Sequence, residues 1–185
     1  MDITPLTIPD VLILKLARHG DERGFFSETY SGKTLANHGI DLTFVQDNHA
    51  YSARAGTVRG LHFQSPPRAQ AKLIRVARGA IFDVAVDLRH GSPSYGRSVS
   101  AVISAGAWNQ ILIPAGFAHG LCTLEDHTEV LYKVTDTYAP DCDHGILWND
   151  PALGIDWPVS AAEAIVSDRD RQHPPLAGQP VWFRS

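Results

Sequence analysis

The spacing of short apolar segments constrains the fold most strongly. From about residue 11 to residue 137 these segments alternate with turns rich in glycine, proline, asparagine and aspartate. No stretch keeps a sustained apolar period of 3.6 residues, so helical repeats and a parallel α/β sheet are both disfavoured. Many short strands separated by turns are typical of a β-sandwich or barrel. We therefore predict an all-β fold with a few short helices.

The individual elements follow from the same pattern. We predict one early helix over 31–39, closed by Gly39. Residues 72–77 and 80–88 flank Gly79, and we predict that they form a β-hairpin. Loops with short helical turns are expected after residue 138. The predicted strands are 11–16, 25–30, 43–50, 58–64, 72–77, 80–88, 97–103, 109–113, 117–124 and 129–137.

Length and charge limit the possible classes of protein. A chain of 185 residues suits one domain, which we divide into N-terminal strands and loops (about 1–50), a core (about 51–138) and a C-terminal segment (about 139–185). A net charge of −4 makes nucleic acid an unexpected partner. No apolar run is long enough to span a membrane, and the first residues do not form a secretory signal. Cys122 and Cys142 lack metal-type spacing, so we expect reduced thiols in a cytoplasmic protein.

Ionisable residues inside apolar strands point to a polar cavity. They are His62, Lys72, Asp83, His119 and Tyr132. Burying charge without partners costs several kcal/mol, so such a set is expected to line a ligand cavity. Strand alternation places His62 on the same face as Gly60 and Gln64. A hydrogen-bonded core histidine is the alternative for His62 when it is considered alone.

The residue types favour acid–base chemistry over metal chemistry. His62-Phe63-Gln64 lacks the second histidine of a His-x-His pair, and His62 with His119 supplies only two ligands. We therefore expect neither a metal nor another cofactor. A histidine base, a lysine that stabilises an oxyanion and a tyrosine acid suit proton removal beside a carbonyl. Arg23 and Arg59 are candidates for binding phosphate, although for either one alone a surface arginine is the slightly favoured interpretation.

Several motifs, in order along the chain, resemble one family. They are 21–26 (DERGFF), 45–48 (VQDN), 59–64 (RGLHFQ), 72–73 (KL), 83–89 (DVAVDLR), 114–120 (PAGFAHG), 132–133 (YK), 148–151 (WNDP) and 167–170 (SDRD). Together they resemble the dTDP-4-dehydrorhamnose 3,5-epimerase family. The resemblance implies a cupin-type jelly roll, usually a homodimer, that works without metal or cofactor. It implies the conversion of dTDP-4-keto-6-deoxy-D-glucose to dTDP-4-keto-L-rhamnose, on the way to dTDP-L-rhamnose.

The resemblance also implies roles for individual residues. His62 matches the base, Asp170 the residue that orients it, Tyr132 the acid and Lys72 the enolate-stabilising lysine. Positions that match substrate contacts are Arg23, Phe26, Glu28, Gln46, Asn48, Arg59, His119, Tyr138, Asp143 and Arg169. Three alternatives remain open: inversion of C3 or C5 alone, a nucleotide-sugar binder without activity, and a metal-dependent cupin enzyme. Exchange of the N-terminal strand between subunits is a plausible way to bring residues 23–28 to a partner's site.

Overall fold

The computed structural model describes residues 1–184. Its helices are α1 (Gly32–Asn37) and α2 (Asp168–Arg171), with 3-10 turns at Pro140–Cys142, Pro151–Leu153 and Leu176–Gly178. Its strands are β1 (Asp2–Pro5), β2 (Leu12–Lys15), β3 (His19–Asp21), β4 (Gly24–Phe26), β5 (Gln46–Ser52), β6 (Val58–Gln64), β7 (Lys72–Arg78), β8 (Ala80–Asp87), β9 (Arg89–His90), β10 (Ser98–Ser104), β11 (Asn109–Ile113), β12 (Phe117–Thr123), β13 (Thr128–Val134), β14 (Asp143–Gly145) and β15 (Phe183–Arg184).

Two antiparallel sheets form a sandwich. The six-stranded sheet has the order β1-β2-β11-β7-β13-β5, and the five-stranded sheet has the order β10-β8-β12-β6-β14. The small pairs β3–β4 and β9–β15 lie outside them. The all-β architecture predicted from the segment spacing is confirmed. No helix within residues 1–184 is both long and apolar enough to cross a membrane.

The main core lies between the two sheets and explains the apolar strands. Ile74 and Val76 of β7 meet Ile81 and Ala85 of β8 in one buried cluster. The other face of β8 is covered as well, because Val84, Val86 and neighbouring side chains pack against Ile146, Leu153 and the C-terminal segment. Both faces of this strand are therefore buried, which is why apolar residues occur on both of them.

The predicted hairpin of residues 72–77 and 80–88 is wrong. Strand β7 pairs with β11 and β13, whereas β8 pairs with β10 and β12 in the other sheet. Gly79 turns the chain from one sheet to the other at φ +80°, and a Cβ there would lie 2.4 Å from Thr128 Oγ1. Local turn chemistry is the same for a hairpin and a crossing between sheets, so pairing is decided by the packing of the sandwich.

Other element boundaries differ in detail from the prediction. The early helix is confirmed, and Ser31 caps α1 by accepting a hydrogen bond from the Thr34 N–H at 3.2 Å. The strand predicted over 25–30 is limited to Gly24–Phe26, and the one predicted over 43–50 is displaced to Gln46–Ser52. Strands β1 and β2 extend the six-stranded sheet through pairing of β2 with β11.

Candidate active site

A bulge in β6 sets which side chains enter the site. His62 pairs with His119, but Arg59 pairs with Leu121, so β6 has one more residue than β12 between these pairs. Strict alternation would separate Arg59 from His62, yet both line the same cavity. Strand alternation places His62 on one face with Gly60 and Gln64, and Gln64 does line a smaller adjoining cavity together with His62. The bulge adds Arg59 to the surroundings of His62. Gln64 also has a structural role, because its amide bonds the backbone at Arg68, Thr137 and Ala139.

The cavity lies between the two sheets and has a volume of about 570 Å³. His62 and His119 reach it from the five-stranded sheet, and Lys72 and Tyr132 reach it from the six-stranded sheet. This volume is within the range typical of small-molecule sites. A molecule in the cavity is therefore contacted by imidazoles on one side and by an ammonium and a phenol on the other.

His62 and Asp170 form the most closely defined pair in the cavity. His62 Nε2 lies 2.7 Å from Asp170 Oδ1, and the Gly60 N–H donates to Asp170 Oδ2 at 3.1 Å. Burial tends to raise the pKa of Asp170, but the hydrogen bonds from His62 and Gly60 outweigh it and lower this pKa. The carboxylate therefore stays ionised and orients the imidazole. With its side chain 32% exposed to the cavity, His62 is not a core histidine.

Burial shifts the pKa values of Lys72 and Tyr132 in opposite directions, because it disfavours the charged form of each side chain. Burial lowers the pKa of Lys72 to about 8, although Asp143 and Asp83 oppose this shift by stabilising the ammonium. Lys72 Nζ donates to the carbonyl oxygen of His62 at 3.1 Å. Burial raises the pKa of Tyr132; Arg59 opposes this and Asp143 adds to it. At neutral pH the site thus holds an ammonium that loses its proton readily and a phenol that keeps its own.

His119 belongs to a second histidine–carboxylate pair. Its Nε2 lies 2.9 Å from Asp83 Oδ2, and the Asp83 side chain is fully buried. The remaining oxygen, Oδ1, has no hydrogen-bond partner among the described residues. Asp83 therefore orients His119 from behind, as Asp170 orients His62.

A smaller cavity of about 200 Å³ continues from the first and shares His62, Lys72 and Tyr132 with it. Four of the predicted contact residues line this extension: Gln46, Asn48, Tyr138 and Asp143.

The residues around this extension hold each other in place. Gln46 Nε2 donates to Asn48 Oδ1 at 2.9 Å, and the Gln46 Oε1 accepts from the Tyr138 N–H at 3.0 Å. Asp143 Oδ2 accepts from Tyr138 Oη at 3.2 Å and from Arg169 at 2.6 Å. The two cavities together form one groove with an acid–base end and a polar end.

Three predicted contact residues lie outside this groove. Arg23, Phe26 and Glu28 are on or just after the β3–β4 hairpin, and none of them lines either cavity. Arg23 pairs with Asp21 and is 85% exposed, while Phe26 is 71% exposed. Glu28 accepts a hydrogen bond from Thr34 at 3.1 Å. Within one chain, the structure does not bring these residues to the site.

Asp83 and His173 were given no role in the site when the sequence was considered alone. Asp83 was noted as an ionisable group in an apolar strand and was expected to line the cavity, whereas the structure places it, fully buried, behind His119. His173 had no such signal, because it lies after α2 in an irregular, proline-rich segment. Its ring packs edge-on to His62, with centroids 5.7 Å apart.

Comparisons with known proteins identify one family. The family model for dTDP-4-dehydrorhamnose 3,5-epimerase matches residues 5–178. The dTDP-4-dehydrorhamnose 3,5-epimerase of Sinorhizobium fredii is 48% identical over 179 residues, covering 97% of this chain and 91% of that protein.

Two solved structures have the same fold. The dTDP-4-dehydrorhamnose 3,5-epimerase of Bacillus anthracis, with TDP and PPi bound, matches with a TM-score of 0.91 and 49% identity, covering 94% of this chain and 98% of that one. The dTDP-6-deoxy-D-glucose-3,5-epimerase of Legionella pneumophila, in complex with dTDP-4-keto-L-rhamnose, matches with a TM-score of 0.94 and 38% identity over 100% of this chain and 98% of that one.

These matches confirm the cupin-type β fold and the epimerase class implied by the motifs. Both the family model and the relatives span nearly the whole chain, so the similarity is not limited to the motif segments. This chain belongs to the dTDP-4-dehydrorhamnose 3,5-epimerase family.

Proposed function

We propose that this chain inverts C3 and C5 of dTDP-4-keto-6-deoxy-D-glucose and yields dTDP-4-keto-L-rhamnose. One observation carries the proposal: an imidazole, an ammonium and a phenol line one cavity, with the imidazole on one sheet and the phenol on the other. Inversion requires a base and an acid on opposite faces of the sugar ring, because one residue acting alone restores the original configuration. A sugar held between the two sheets meets that requirement.

His62 is the proposed base. The C4 ketone acidifies the protons on C3 and C5, and removal of either proton moves negative charge onto the C4 oxygen. Because His62 Nε2 is held by Asp170, its Nδ1 is the ring nitrogen left to accept the substrate proton. The Asp170 carboxylate then stabilises the imidazolium that forms.

Lys72 and Tyr132 complete the reaction. The ammonium of Lys72 stabilises the enolate oxygen, an effect of about 3 kcal/mol for one preorganised donor. Tyr132 donates a proton to the opposite face of the ring, and its raised pKa keeps the phenol protonated for that step. His119, held by Asp83, is proposed as a further contact to the sugar.

The polar end of the groove is proposed to bind the thymidine, with the phosphates nearer the larger cavity. Arg59 and Arg169 line that larger cavity, and their guanidinium groups are suited to phosphate oxygens. Tyr138 is half exposed beside Gln46, Asn48 and Asp143, where its ring is available to stack on thymine. The Bacillus anthracis relative was solved with TDP bound, which supports a thymidine nucleotide as the ligand.

Deuterium exchange tests the assignment of base and acid. In deuterated water, the wild-type enzyme is expected to place label at C3 and C5 and to invert both centres. Tyr132→Phe keeps the base, so it should still exchange label but with retained configuration. His62→Ala should lose both exchange and inversion, while circular dichroism shows an unchanged fold. Wild-type exchange in His62→Ala would reject the base assignment. Label at only one carbon in the wild type would identify a single-centre epimerase instead.

The active form is proposed to be a cytoplasmic homodimer. Support comes from the β3–β4 hairpin, which presents exposed Phe25 and Phe26 and carries Arg23 away from its own cavity. In a homodimer this hairpin could reach the partner's site, where Arg23 and Glu28 would contact the substrate. The free thiols of Cys122 and Cys142 are consistent with a reducing compartment. Sedimentation analysis checks the dimer, and a monomer at micromolar concentration would contradict it.

A further inference from the structure

His173 adds a third metal-type ligand to the His62–Asp170 pair. His173 Nε2 lies 3.7 Å from Asp170 Oδ1, the same oxygen that lies 2.7 Å from His62 Nε2. One ligand atom from each of these three residues falls within 4.8 Å of the others. The ligand count from His62 and His119 gave only two, because His173 is far from His62 in sequence.

The Nε2 of His173 has no other bonding role. It is buried and has no hydrogen-bond partner among the described residues. Its distance from Asp170 Oδ1 is too long for a hydrogen bond. A buried polar atom left unpaired usually has a specific reason, and here it faces two other ligand atoms.

The backbone holds the His173 ring in this orientation. A Cβ at Gly145 would lie 2.3 Å from His173 Cδ2, so the absence of a side chain there makes room for the ring. The following residue, Pro174, is fixed as well, because its carbonyl oxygen accepts a hydrogen bond from the Leu147 N–H at 2.9 Å. The third ligand is therefore positioned by packing before any ion binds.

We infer that His62, Asp170 and His173 form an inhibitory site for a divalent transition-metal ion of the Zn²⁺ or Co²⁺ type. Two imidazoles and one carboxylate suit these ions, whereas Mg²⁺ and Ca²⁺ prefer oxygen ligands. Zinc bonds of about 2.0–2.2 Å separate tetrahedral ligand atoms by about 3.3 Å, between the two distances seen here. Small side-chain shifts are thus sufficient to close the site around an ion.

Binding of the ion would inactivate the base, because it would exchange the roles of the two ring nitrogens of His62. In the metal-free pair, Nε2–H donates to Asp170 and Nδ1 is free to accept a proton. A metal ion takes the lone pair of Nε2, so the single proton of the neutral ring must reside on Nδ1. No proton is gained or lost overall, but Nδ1 can no longer accept one from the substrate. This inhibition rests on the proposed function, whereas metal binding itself does not.

Cobalt titration of the metal-free, full-length protein tests the site. Co²⁺ should give a saturable visible absorption band, and Zn²⁺ should abolish the band and stop deuterium exchange into the substrate. His173→Leu keeps the His62–Asp170 pair, so its metal-free exchange should stay near the wild-type rate. Its affinity for Co²⁺ should fall at least about tenfold, the order that even a supporting group contributes to a metal site.

The matched control is His38→Leu, which removes an exposed histidine at the end of α1 and should leave cobalt binding unchanged. His173→Gln serves as a second variant if leucine alters the circular dichroism spectrum. Absence of a saturable cobalt band in the wild type would overturn the inference. So would an undiminished band in folded His173 variants. Because the band is read without substrate, either result is separate from any failure of the epimerase assignment.

Discussion

Asp170 links the base to the strand that carries it. Its two oxygens accept hydrogen bonds from the His62 ring and from the Gly60 N–H of the same strand. Its own N–H donates to Ser167 Oγ at 3.1 Å, which caps α2. One carboxylate therefore sets the orientation and tautomer of the imidazole and also fixes its distance from the backbone.

Replacing this carboxylate should disable the base without unfolding the chain. Asp170→Asn keeps the shape but loses the charge that stabilises the imidazolium. We expect kcat to fall by a factor of about 10² to 10⁴, the usual contribution of a well-oriented general base. The fall in kcat is measured by quenching the reaction at set times and following deuterium exchange into the substrate. Asp168→Asn, an exposed position on the same helix, is the control and should retain wild-type turnover.

Lys72 should impose an alkaline limit on activity. Its pKa is lowered to about 8, so the ammonium is present below that pH and is lost as the pH rises through it. We expect kcat/KM to decline above about pH 8 for this reason. Lys72→Met should lower kcat by about 100-fold, from the loss of about 3 kcal/mol of oxyanion stabilisation, and should abolish the decline. A pH profile of both proteins checks this, and an unchanged decline in Lys72→Met would contradict it.

At the scale of elements, the close approach of β6 and β12 decides the arrangement of the site. Gly60 has φ +131°, and a Cβ there would lie 2.5 Å from Gly120 Cα. The bulge between Arg59 and His62 depends on this contact, because a side chain at Gly60 would force the strands apart. Arg59 and His62 enter the same cavity as a result.

A methyl group at position 60 should therefore affect both stability and activity. Gly60→Ala is expected to cost about 2–4 kcal/mol of unfolding free energy, from backbone strain and from overpacking against β12. Urea denaturation measures the cost. Gly106→Ala is the control, because the nearest atom to a Cβ there is 3.9 Å away, and its stability should change little. Equal midpoints for the two variants would contradict the importance of the close approach.

At the scale of the whole molecule, the sandwich separates the two proton-transfer groups. His62 and Tyr132 come from different sheets, so the distance between base and acid depends on how the sheets pack and not on any local segment. The core cluster that joins Ile74 and Val76 to Ile81 and Ala85 keeps the sheets at that distance.

The proposed dimer makes a quantitative prediction by complementation. Arg23→Ala and His62→Ala should each be nearly inactive when pure. If Arg23 serves the partner's site, mixed dimers contain one site with both residues intact. When equal amounts of the two variants reassort at random, half of the dimers are mixed and each mixed dimer has one intact site of two. About one quarter of the wild-type number of sites is therefore restored. Activity measured after mixing and refolding the two variants checks this, and no recovery despite confirmed mixed dimers would show that Arg23 serves its own site.

The sequence by itself determined the all-β class and most of the chemistry. Short apolar segments between turns can bury their faces only as packed sheets, and ionisable groups such as His62, Lys72 and Tyr132 need a polar cavity within them. The motif order also identified the family, which the comparisons confirm. These properties were accessible because each is expressed in local spacing or in residue type.

Only the tertiary structure decided which residues meet. The bulge that joins Arg59 to His62, the separation of β7 from β8 and the place of His173 behind the base depend on contacts between distant segments. Alternation along a strand does not reveal an extra residue, and a turn does not specify which strand its neighbours will pair with. Both are selected by the packing of one sheet on the other, because a single strand cannot bury its faces alone.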